Sequence, residues 1–245
     1  MRIPRLYLPA DYAIGAELPL EREQAHYVLT VLRLKNQHRL QLFDGQGQQA
    51  EAILHSHGRR EASIQITHVS WAQNESPLNT ILLQGISRGD RMDYSIQKAV
   101  ELGVSAIQPL FTERCEVKLE GDKLEKRRSQ WQSIAISACE QSSRAKVPTL
   151  LPLLTFNDFF SQETPLAGVV CDPYAQLGLQ QLAAPNLSQP WHLLVGPEGG
   201  LSEAEVTLAV SRGLNAVQLG PRILRTETAG PAMLAIAQAL WGDWQ

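Results

Sequence analysis

Three short segments carry the residues most able to do chemistry, and each of them follows an apolar run. The segment VVCDPYA (169–175) combines a thiol with a carboxylate. The segment LLVGPEGGLS (193–202) places Glu198 inside a glycine-rich turn, and QLGPRILRTETAG (218–230) places two arginines and a glutamate at the start of an apolar helix. Such residues can bind a small ligand through backbone groups and can hold or move a proton.

The glycine-rich turn has the layout of a phosphate-binding loop but the wrong charge for a phosphate. Its glycines allow a close backbone approach, and Ser202 with Glu205 forms a predicted capping box for the helix that follows. Glu198 would repel a phosphate, and neither the dinucleotide fingerprint nor the P-loop fingerprint occurs. The turn therefore favours a neutral or cationic ligand. An ordinary turn with a solvated glutamate is the alternative.

Arg222 and Arg225 precede the apolar helix of the third segment, where a cation opposes the helix dipole by about 0.3 to 1 kcal/mol. Glu227, in the predicted first turn, agrees with the dipole. Arginines kept beside a predicted pocket despite this electrostatic cost indicate a functional role. The alternative is a surface ion pair, either of Arg225 with Glu227 or of Arg222 with Glu198.

Other classes of site find little support. Cys115, Cys139 and Cys171 lie far apart and form no C-x-x-C motif, so neither a disulfide framework nor a metal centre is predicted. His55 and His57 lack a third ligand at useful spacing, which favours a solvated strand edge. No G-x-S-x-G nucleophile motif occurs. The chemistry that remains is transfer of a group from a bound cofactor.

The chain has 245 residues, of which 44% are hydrophobic, and a formal net charge of -3. These values fit one or two well-packed domains and exclude a polycation that would coat nucleic acid without specificity. The segment MRIPRLYLPADY has no apolar signal-peptide core, and no run approaches the roughly 18 apolar residues of a membrane span. We therefore expect a soluble, cytoplasmic protein that binds no membrane.

Residues 1–72 predict a small β-barrel with one helix. The segments PRLYL, RLQLF, QQAEAIL and ASIQITHV alternate as strands do, and Asp44-Gly45 indicates a hairpin turn between the second and the third. The apolar residues of REQAHYVLTVLRL repeat on one helical face.

Residues 73–245 have a different pattern, which begins within the polar segment WAQNESPLN. Runs such as TILLQGIS, VSAIQPLF and WHLLVG alternate with helices, one of them with Asp90 as its N-cap and Gly103 as its end. This alternation predicts an α/β domain with a mainly parallel sheet, whose ligands bind outside the carboxyl ends of the strands. We expect the three segments that carry the candidate residues (169–175, 193–202 and 218–230), called the marked segments below, to line one shared pocket.

Several motifs together resemble those of the 16S ribosomal RNA uridine-N3 methyltransferases, a branch of the SPOUT methyltransferases. They are MRIPR, HYVLTVLRL, LFDGQG, SRGDRMDYSIQKAVELGV, PLFTERC, QWQSIAISACEQSSRAKVP, LLVGPEGGLS and LGPRILRTETA. The resemblance covers nearly the whole chain, and the last two motifs are the most specific. It implies a PUA-like β-barrel for the first domain. For the second it implies a SPOUT α/β fold whose C-terminal part threads into a trefoil knot.

The resemblance also implies an S-adenosylmethionine site in the knotted loops, a homodimer, and methylation of N3 of one uridine. That uridine is position 1498 of 16S ribosomal RNA in the small ribosomal subunit. S-adenosylmethionine is a sulfonium without a phosphate, which agrees with the charge of Glu198. The residues expected to bind the cofactor are Cys171, Asp172, Pro173, Leu194, Gly196, Pro197, Glu198, Gly199, Gly200, Leu219, Gly220, Leu224 and Thr226. Those expected to bind RNA are Arg2, Arg5, Arg33, Arg88 and Arg91.

Catalysis is assigned to Arg225, Glu227 and Glu198. Uridine N3 must lose its proton before or during attack on a methyl group, which leaves negative charge on the base. Arg225 is expected to stabilise that charge, and Glu227 or Glu198 to orient Arg225 or to relay the proton. Because Watson–Crick pairing blocks N3, the target uridine must be unpaired or extruded.

Gly230-Pro231 departs from the family pattern, where continuous helix formers are expected. Because proline fits a first helical turn, we predict that this helix begins near Thr228. Two other functions stay open, namely a SPOUT methyltransferase of a different RNA site and a non-catalytic ribosome-assembly factor that binds RNA. A nicotinamide dehydrogenase is disfavoured because its glycine fingerprint is missing.

Overall fold

The computed structural model describes residues 3–58, 60–162 and 164–244. The chain forms two compact units. The first contains the residues up to Glu75 together with Cys139–Val147, and the second contains Ser76–Ala138 and the residues from Pro148 onward.

The first unit contains five strands and a short helix: β1 (Arg5–Tyr7), β2 (Glu17–Pro19), α1 (Arg22–His26), β3 (Arg39–Phe43), β4 (Gln48–Ser56) and β5 (Ala62–Trp71). The sheet order is β1-β3-β4-β5-β2. β1 pairs with β3 in parallel, and the other neighbours pair antiparallel. α1 continues into a π-helical turn over Tyr27–Val31. Alternate strand residues pack with Ala25 and Val28 into one buried cluster, as expected for a sheet with one apolar face.

The predicted hairpin between β3 and β4 is confirmed. Gly45 has a positive φ of 86°, which glycine adopts at little cost. The Oδ1 of Asp44 accepts hydrogen bonds from the backbone N–H groups of Gln46, Gly47 and Gln48 at 2.7 to 3.0 Å. One carboxylate thus satisfies three donors of the turn.

A remote segment, Cys139–Val147, completes the first unit through a buried ion pair. Nη2 of Arg144 lies 2.8 Å from Oε2 of Glu75. The other oxygen of Glu75 accepts the backbone N–H groups of Ala145 and Lys146 at 3.0 and 2.9 Å. Because both carboxylate oxygens are hydrogen-bonded, the pair fastens the segment in place.

The second unit alternates strands and helices: β6 (Thr80–Gly85), α2 (Asp90–Glu101), β7 (Ala106–Phe111), α3 (Asp122–Ser142), β8 (Thr149–Leu150), β9 (Leu154–Thr155), α4 (Phe156–Phe160), β10 (Gly168–Cys171), β11 (Leu177–Gly178), β12 (Trp191–Val195), α5 (Glu203–Ser211), β13 (Leu214–Gln218) and α6 (Thr226–Trp241). The last turn of α3 belongs to the first unit. The sheet order is β11-β13-β10-β12-β6-β7-β8, with β9 also paired to β7. All of these pairs are parallel, which confirms the predicted sheet. The trefoil knot stays a prediction.

Two helix starts differ from those predicted. α2 has Gly89, not Asp90, as its N-cap, because the φ of 54° and ψ of -137° there favour glycine. α6 begins at Thr226 with Arg225 as its N-cap, so Pro231 lies inside the helix rather than in its first turn. A proline there cannot donate to the carbonyl of Glu227, one turn earlier. The short strands β2 and β11 were not predicted.

Candidate functional site

A cavity of about 890 Å³ lies in the second unit, where the carboxyl ends of β10, β12 and β13 meet. The segments that follow these strands all line it, together with the start of α6. In the sheet β10 lies between β12 and β13, although it precedes both in the chain. The structure thus brings the three marked segments together, as the alternation of strands and helices predicts.

The loop between β12 and α5 (residues 196–202) packs closely on itself and on the end of β6. A Cβ at Gly196 would lie 2.9 Å from the backbone carbon of Gly200, and a Cβ at Gly85 would lie 2.6 Å from the backbone nitrogen of Pro197. Side chains essentially never approach backbone so closely. Glycine is therefore required at both positions by backbone packing.

The predicted capping box of α5 is confirmed. The backbone N–H of Ser202 donates to Oε2 of Glu205 at 2.9 Å, and the N–H of Glu205 donates to the Ser202 hydroxyl at 3.3 Å. Oε1 of Glu205 accepts the N–H of Glu113 at 2.8 Å, so the buried carboxylate also holds the segment after β7.

One hydroxyl joins three elements at the base of the cavity. Oγ1 of the buried Thr226 donates to the carbonyl of Gly196 at 2.6 Å and accepts from Nε2 of Gln84 at 3.0 Å. Gln84 is fully buried in β6. The start of α6, the glycine-rich loop and β6 are therefore fixed relative to one another.

Glu198 holds the start of α2 against the glycine-rich loop. Its Oε1 accepts from the backbone N–H of Arg88 and from Nη1 of Arg91, both at 2.8 Å. Partial burial raises the pKa of Glu198. The hydrogen bonds from Arg91 and from backbone N–H groups outweigh burial, so the pKa is lower than usual. Glu198 is therefore a carboxylate engaged in protein contacts rather than a free proton acceptor.

Glu227 lies in the first turn of α6 between two cations. Its Oε1 is 3.9 Å from Nε of Arg91 and 4.0 Å from Nη1 of Arg225. Its Oε2 is buried and has no hydrogen-bond partner among the described residues. The side chain of Arg225 is 76% exposed and that of Glu227 only 19%. The site thus has an exposed cation, Arg225, beside a mostly buried carboxylate, Glu227.

The loop after β10 turns sharply at Asp172. Its Oδ1 accepts the backbone N–H of Tyr174 at 3.0 Å, an Asx turn that places the tyrosine at the cavity. Burial, and then the charge of Asp172, raises the pKa of the Cys171 thiol to about 11. The thiol is therefore neutral at physiological pH.

Comparison with known proteins identifies the family. A model described as RNA methyltransferase domain matches residues 74–238, and one described as RNA methyltransferase PUA domain matches residues 20–67. The ribosomal RNA small subunit methyltransferase E of Buchnera aphidicola (subsp. Schizaphis graminum) is 34% identical over 99% of this chain and 98% of its own length. The chain belongs to the ribosomal RNA small subunit methyltransferase E family.

Two solved structures are also similar. The Neisseria gonorrhoeae member of the methyltransferase E family, bound to S-adenosyl methionine, is 40% identical and superposes with a TM-score of 0.92 over 100% of both chains. A methyltransferase from Legionella pneumophila in complex with SAM is 35% identical, with a TM-score of 0.93 over 99% of this chain and 100% of its own. The fold class is accordingly a PUA-like domain followed by a SPOUT α/β domain.

Almost all of the expected cofactor and catalytic residues line the cavity of this methyltransferase E family member. They are Cys171, Asp172, Pro173, Gly196, Pro197, Glu198, Gly199, Gly200, Leu219, Gly220, Leu224, Arg225, Thr226 and Glu227. Leu194 differs, because it is fully buried in the hydrophobic core of the second unit. Val195, at the end of β12, lines the cavity instead.

The expected RNA-binding arginines have different environments. Arg33 is exposed and has a positive φ of 54°. Arg88 pairs with Glu116 at 2.7 Å, and Arg91 pairs with Glu198. Arg5 is partly buried, donates to the carbonyl of Arg144 at 3.0 Å and lies over the Phe43 ring. Arg2 lies outside the described residues.

Other residues of the site carry little local signal in the sequence. Arg114, which follows β7, donates to the carbonyl of Gly199 at 3.1 Å and lines the cavity with Tyr174 and Ile223. Gln84 was read only as part of an apolar strand. A glutamine inside a run otherwise filled by apolar residues was the available indication, since a buried amide requires partners.

Among the residues that the structure describes, no group of three or more His, Cys, Asp or Glu side chains is arranged to hold a metal ion. Within the same residues no helix is long and apolar enough to cross a membrane.

Proposed function

We propose that this protein transfers a methyl group from S-adenosylmethionine to N3 of a uridine in 16S ribosomal RNA, position 1498, of the small ribosomal subunit. The observation that carries the proposal is the cavity of about 890 Å³ enclosed by the three marked loops. Family membership and the S-adenosyl methionine bound to the Neisseria gonorrhoeae relative support it. Because the proposed substrate is ribosomal RNA, we also propose that the protein acts in the cytoplasm.

The residues of the cavity fit S-adenosylmethionine. The volume is in the usual range for small-molecule sites. Apolar side chains line part of the wall, and the carboxylates of Asp172, Glu198, Glu203 and Glu227 suit a ligand with a sulfonium and an ammonium group. Glycines let the backbone of residues 196–200 approach a flat ring. When bound, the cofactor supplies an electrophilic methyl group.

We assign catalysis to Arg225 and Glu227. The exposed guanidinium of Arg225 can reach a base that enters from solvent, where its charge stabilises the anion formed at the base oxygens. Glu227 is the better candidate for the proton acceptor, because its contacts with Arg91 and Arg225 are long, at 3.9 and 4.0 Å, whereas Glu198 is held at 2.8 Å by Arg91 and by the N–H of Arg88. Glu198 then acts as a positioning residue for the cofactor loop.

The substrate must present an unpaired uridine. N3 lies on the Watson–Crick edge, so the base has to be extruded or already single-stranded to enter the cavity. Arg33 in the PUA-like domain is exposed, which supports a contact with a phosphate. We also propose RNA contacts for Arg88 and Arg91, which pair with Glu116 and Glu198 in the protein alone. We also propose a homodimer, as the family resemblance implies; light scattering would measure it.

The test is methyl transfer from labelled S-adenosylmethionine to unmodified small ribosomal subunits. Naked 16S RNA and large subunits serve as controls, and the labelled nucleotide is mapped in the product. Label at N3 of one decoding-region uridine is expected. Label at another nucleotide would point to a different SPOUT target, and cofactor binding without any transfer would point to an assembly factor.

A further inference from the structure

Trp71 is a large aromatic side chain left in solvent. It is the last residue of β5, is paired with Gln48 of β4, and is 62% exposed. The N–H of the next residue, Ala72, donates to the carbonyl of Gly47 at 2.9 Å, which holds the strand end against the β3–β4 hairpin. The indole is therefore exposed on a rigid backbone rather than on a free loop.

Lys146 lies beside this indole. A Cβ at Gly47 would be 3.2 Å from Cε of Lys146 and 3.5 Å from Cε3 of Trp71, so both side chains cover the same glycine. The backbone around Lys146 is also fixed. The N–H of Gly47 donates to the carbonyl of Ala145 at 3.2 Å, and the N–H of Lys146 donates to Glu75 at 2.9 Å. The lysine is exposed at a defined position of the first unit.

The carboxylates of Asp44 and Glu75 already accept hydrogen bonds within the first unit. Asp44 accepts three backbone N–H groups of the hairpin, and Glu75 binds Arg144 and two backbone N–H groups. Within residues 3–58, 60–162 and 164–244, no ion pair involves the Lys146 ammonium. The exposed Lys146, which forms no ion pair among the described residues, thus lies close to the exposed indole of Trp71.

We propose that Trp71 and Lys146 form a stacking site for an unpaired RNA base, with the indole against the base and the ammonium on an adjacent phosphate. Aromatic faces accept any base, and a neighbouring cation follows the backbone of a single strand. This Trp71–Lys146 site deepens the proposed function, on which it rests for an RNA substrate. It would hold a nucleotide of the substrate other than the one that is methylated.

The test compares affinities for unmodified small ribosomal subunits. Trp71→Ala should bind about 5- to 150-fold more weakly, as loss of one stacked base predicts, and Trp71→Phe should retain most of the affinity. Trp244→Ala is the matched control, because Trp244 is another exposed tryptophan (54%) in the other unit, and it should bind as the wild type does. Trp71→Ala with wild-type affinity would overturn the site, as would an affinity lost equally in Trp71→Phe.

Kinetics and salt dependence separate binding from structure. Trp71→Ala should raise KM for subunits, leave kcat at saturating subunits unchanged, and keep the wild-type affinity for S-adenosylmethionine. A loss of cofactor affinity would mean a structural role and would overturn the site. Lys146→Ala should reduce the slope of log affinity against log salt by about 0.7. An unchanged slope would mean that Lys146 does not contact a phosphate and would overturn its part in the Trp71–Lys146 site.

The proposed function and the site fail in different ways. If the wild-type protein methylates no RNA, the proposed function fails. The Trp71→Ala comparison of binding to subunits then still supports or overturns the site. If methylation is normal and Trp71→Ala binds normally, only the site fails. Quenching of wild-type fluorescence by single-stranded oligouridine, absent in Trp71→Phe, gives independent support.

Discussion

The two loops that face each other across the cavity are held very differently. Residues 196–202 are hydrogen-bonded to the rest of the second unit: the Gly196 carbonyl accepts from Thr226, Glu198 accepts from Arg91, and the Gly199 carbonyl accepts from Arg114. Residues 219–225 carry Ile223 and the Arg225 side chain, each 76% exposed. Among the described residues the guanidinium of Arg222 has neither a hydrogen bond nor an ion pair.

The contrast matches two tasks. A cofactor site is the same in every turnover, so a loop that is fixed before binding avoids the entropic cost of ordering. The substrate is part of a much larger particle. An exposed cation such as Arg225 can contact it without requiring the particle to enter the cavity. We expect the first loop to contribute more to cofactor affinity, and Arg225 at the end of the second loop to contribute more to the rate of transfer.

The largest expected effect is on the exposed loop. Arg225→Ala should lower kcat by about 10²-fold or more, because the charge that develops on the base loses its stabilising cation. The affinity for S-adenosylmethionine, measured by calorimetry, should stay within about twofold.

Arg222→Ala is the matched control, since it removes an exposed arginine of the same loop. It should retain most of the activity. Full activity of Arg225→Ala would remove that residue from the mechanism.

Gly196→Ala should weaken S-adenosylmethionine binding by about tenfold or more. Its Cβ would lie 2.9 Å from the backbone of Gly200, so the loop must shift to admit it. Gly220→Ala in the exposed loop meets nothing within 4 Å and adds only the strain of a φ of 86°, about 1 kcal/mol. Calorimetry measures the cofactor affinity of both variants. Equal losses in Gly196→Ala and Gly220→Ala would contradict the proposed difference between the two loops.

Thr226→Val should lower the free energy of unfolding by about 1 to 3 kcal/mol, because the buried Gln84 amide and the Gly196 carbonyl each lose a partner. Denaturant unfolding measures the loss. Thr226→Ser keeps the hydroxyl and should recover most of the stability and of the cofactor affinity. A valine variant as stable as the wild type would mean that the hydrogen bonds of the Thr226 hydroxyl contribute little.

The smallest effect concerns pH. Partial burial raises the pKa of Glu198, but its hydrogen bonds outweigh burial and hold the pKa below the usual value of a glutamate. The contribution of Glu198 to stability is therefore fully present above the unfolded-state pKa and is lost as the pH falls through the folded-state pKa. The contribution of this pair is small, because solvent screens the exposed charges. A carboxyl titration by NMR should show the low pKa, and Arg91→Gln should move it upward. An unchanged pKa in that variant would assign the shift to the backbone N–H groups instead.

Much of the fold was predictable from local patterns. The hairpin at Asp44-Gly45, the capping box of Ser202 and Glu205 and the parallel sheet depend on short-range chemistry or on the alternation of strands with helices. The start of α6 was misplaced because Pro231 was given a position in the first turn, whereas the helix tolerates it in the second.

The site was predictable only as a set of loops. Parallel strands place their carboxyl ends at one edge, which was enough to expect a shared pocket. The partners of Glu198 are 107 and 110 positions away in the chain, and Gln84 is 142 positions from Thr226. No periodicity in a single sequence encodes contacts at such separations.

The sequence by itself determined the order of elements, the chemically marked loops and, through its motifs, the family. Turn chemistry, capping and hydrophobic periodicity act over a few residues, so they can be recognised in the chain. The tertiary structure alone decided that Glu198 is held by Arg91, that Glu227 is mostly buried and that Lys146 lies beside Trp71. These facts depend on sheet order and on a segment that returns from residue 139 to the first unit, because burial and charge at a site are set by whichever distant residues pack there.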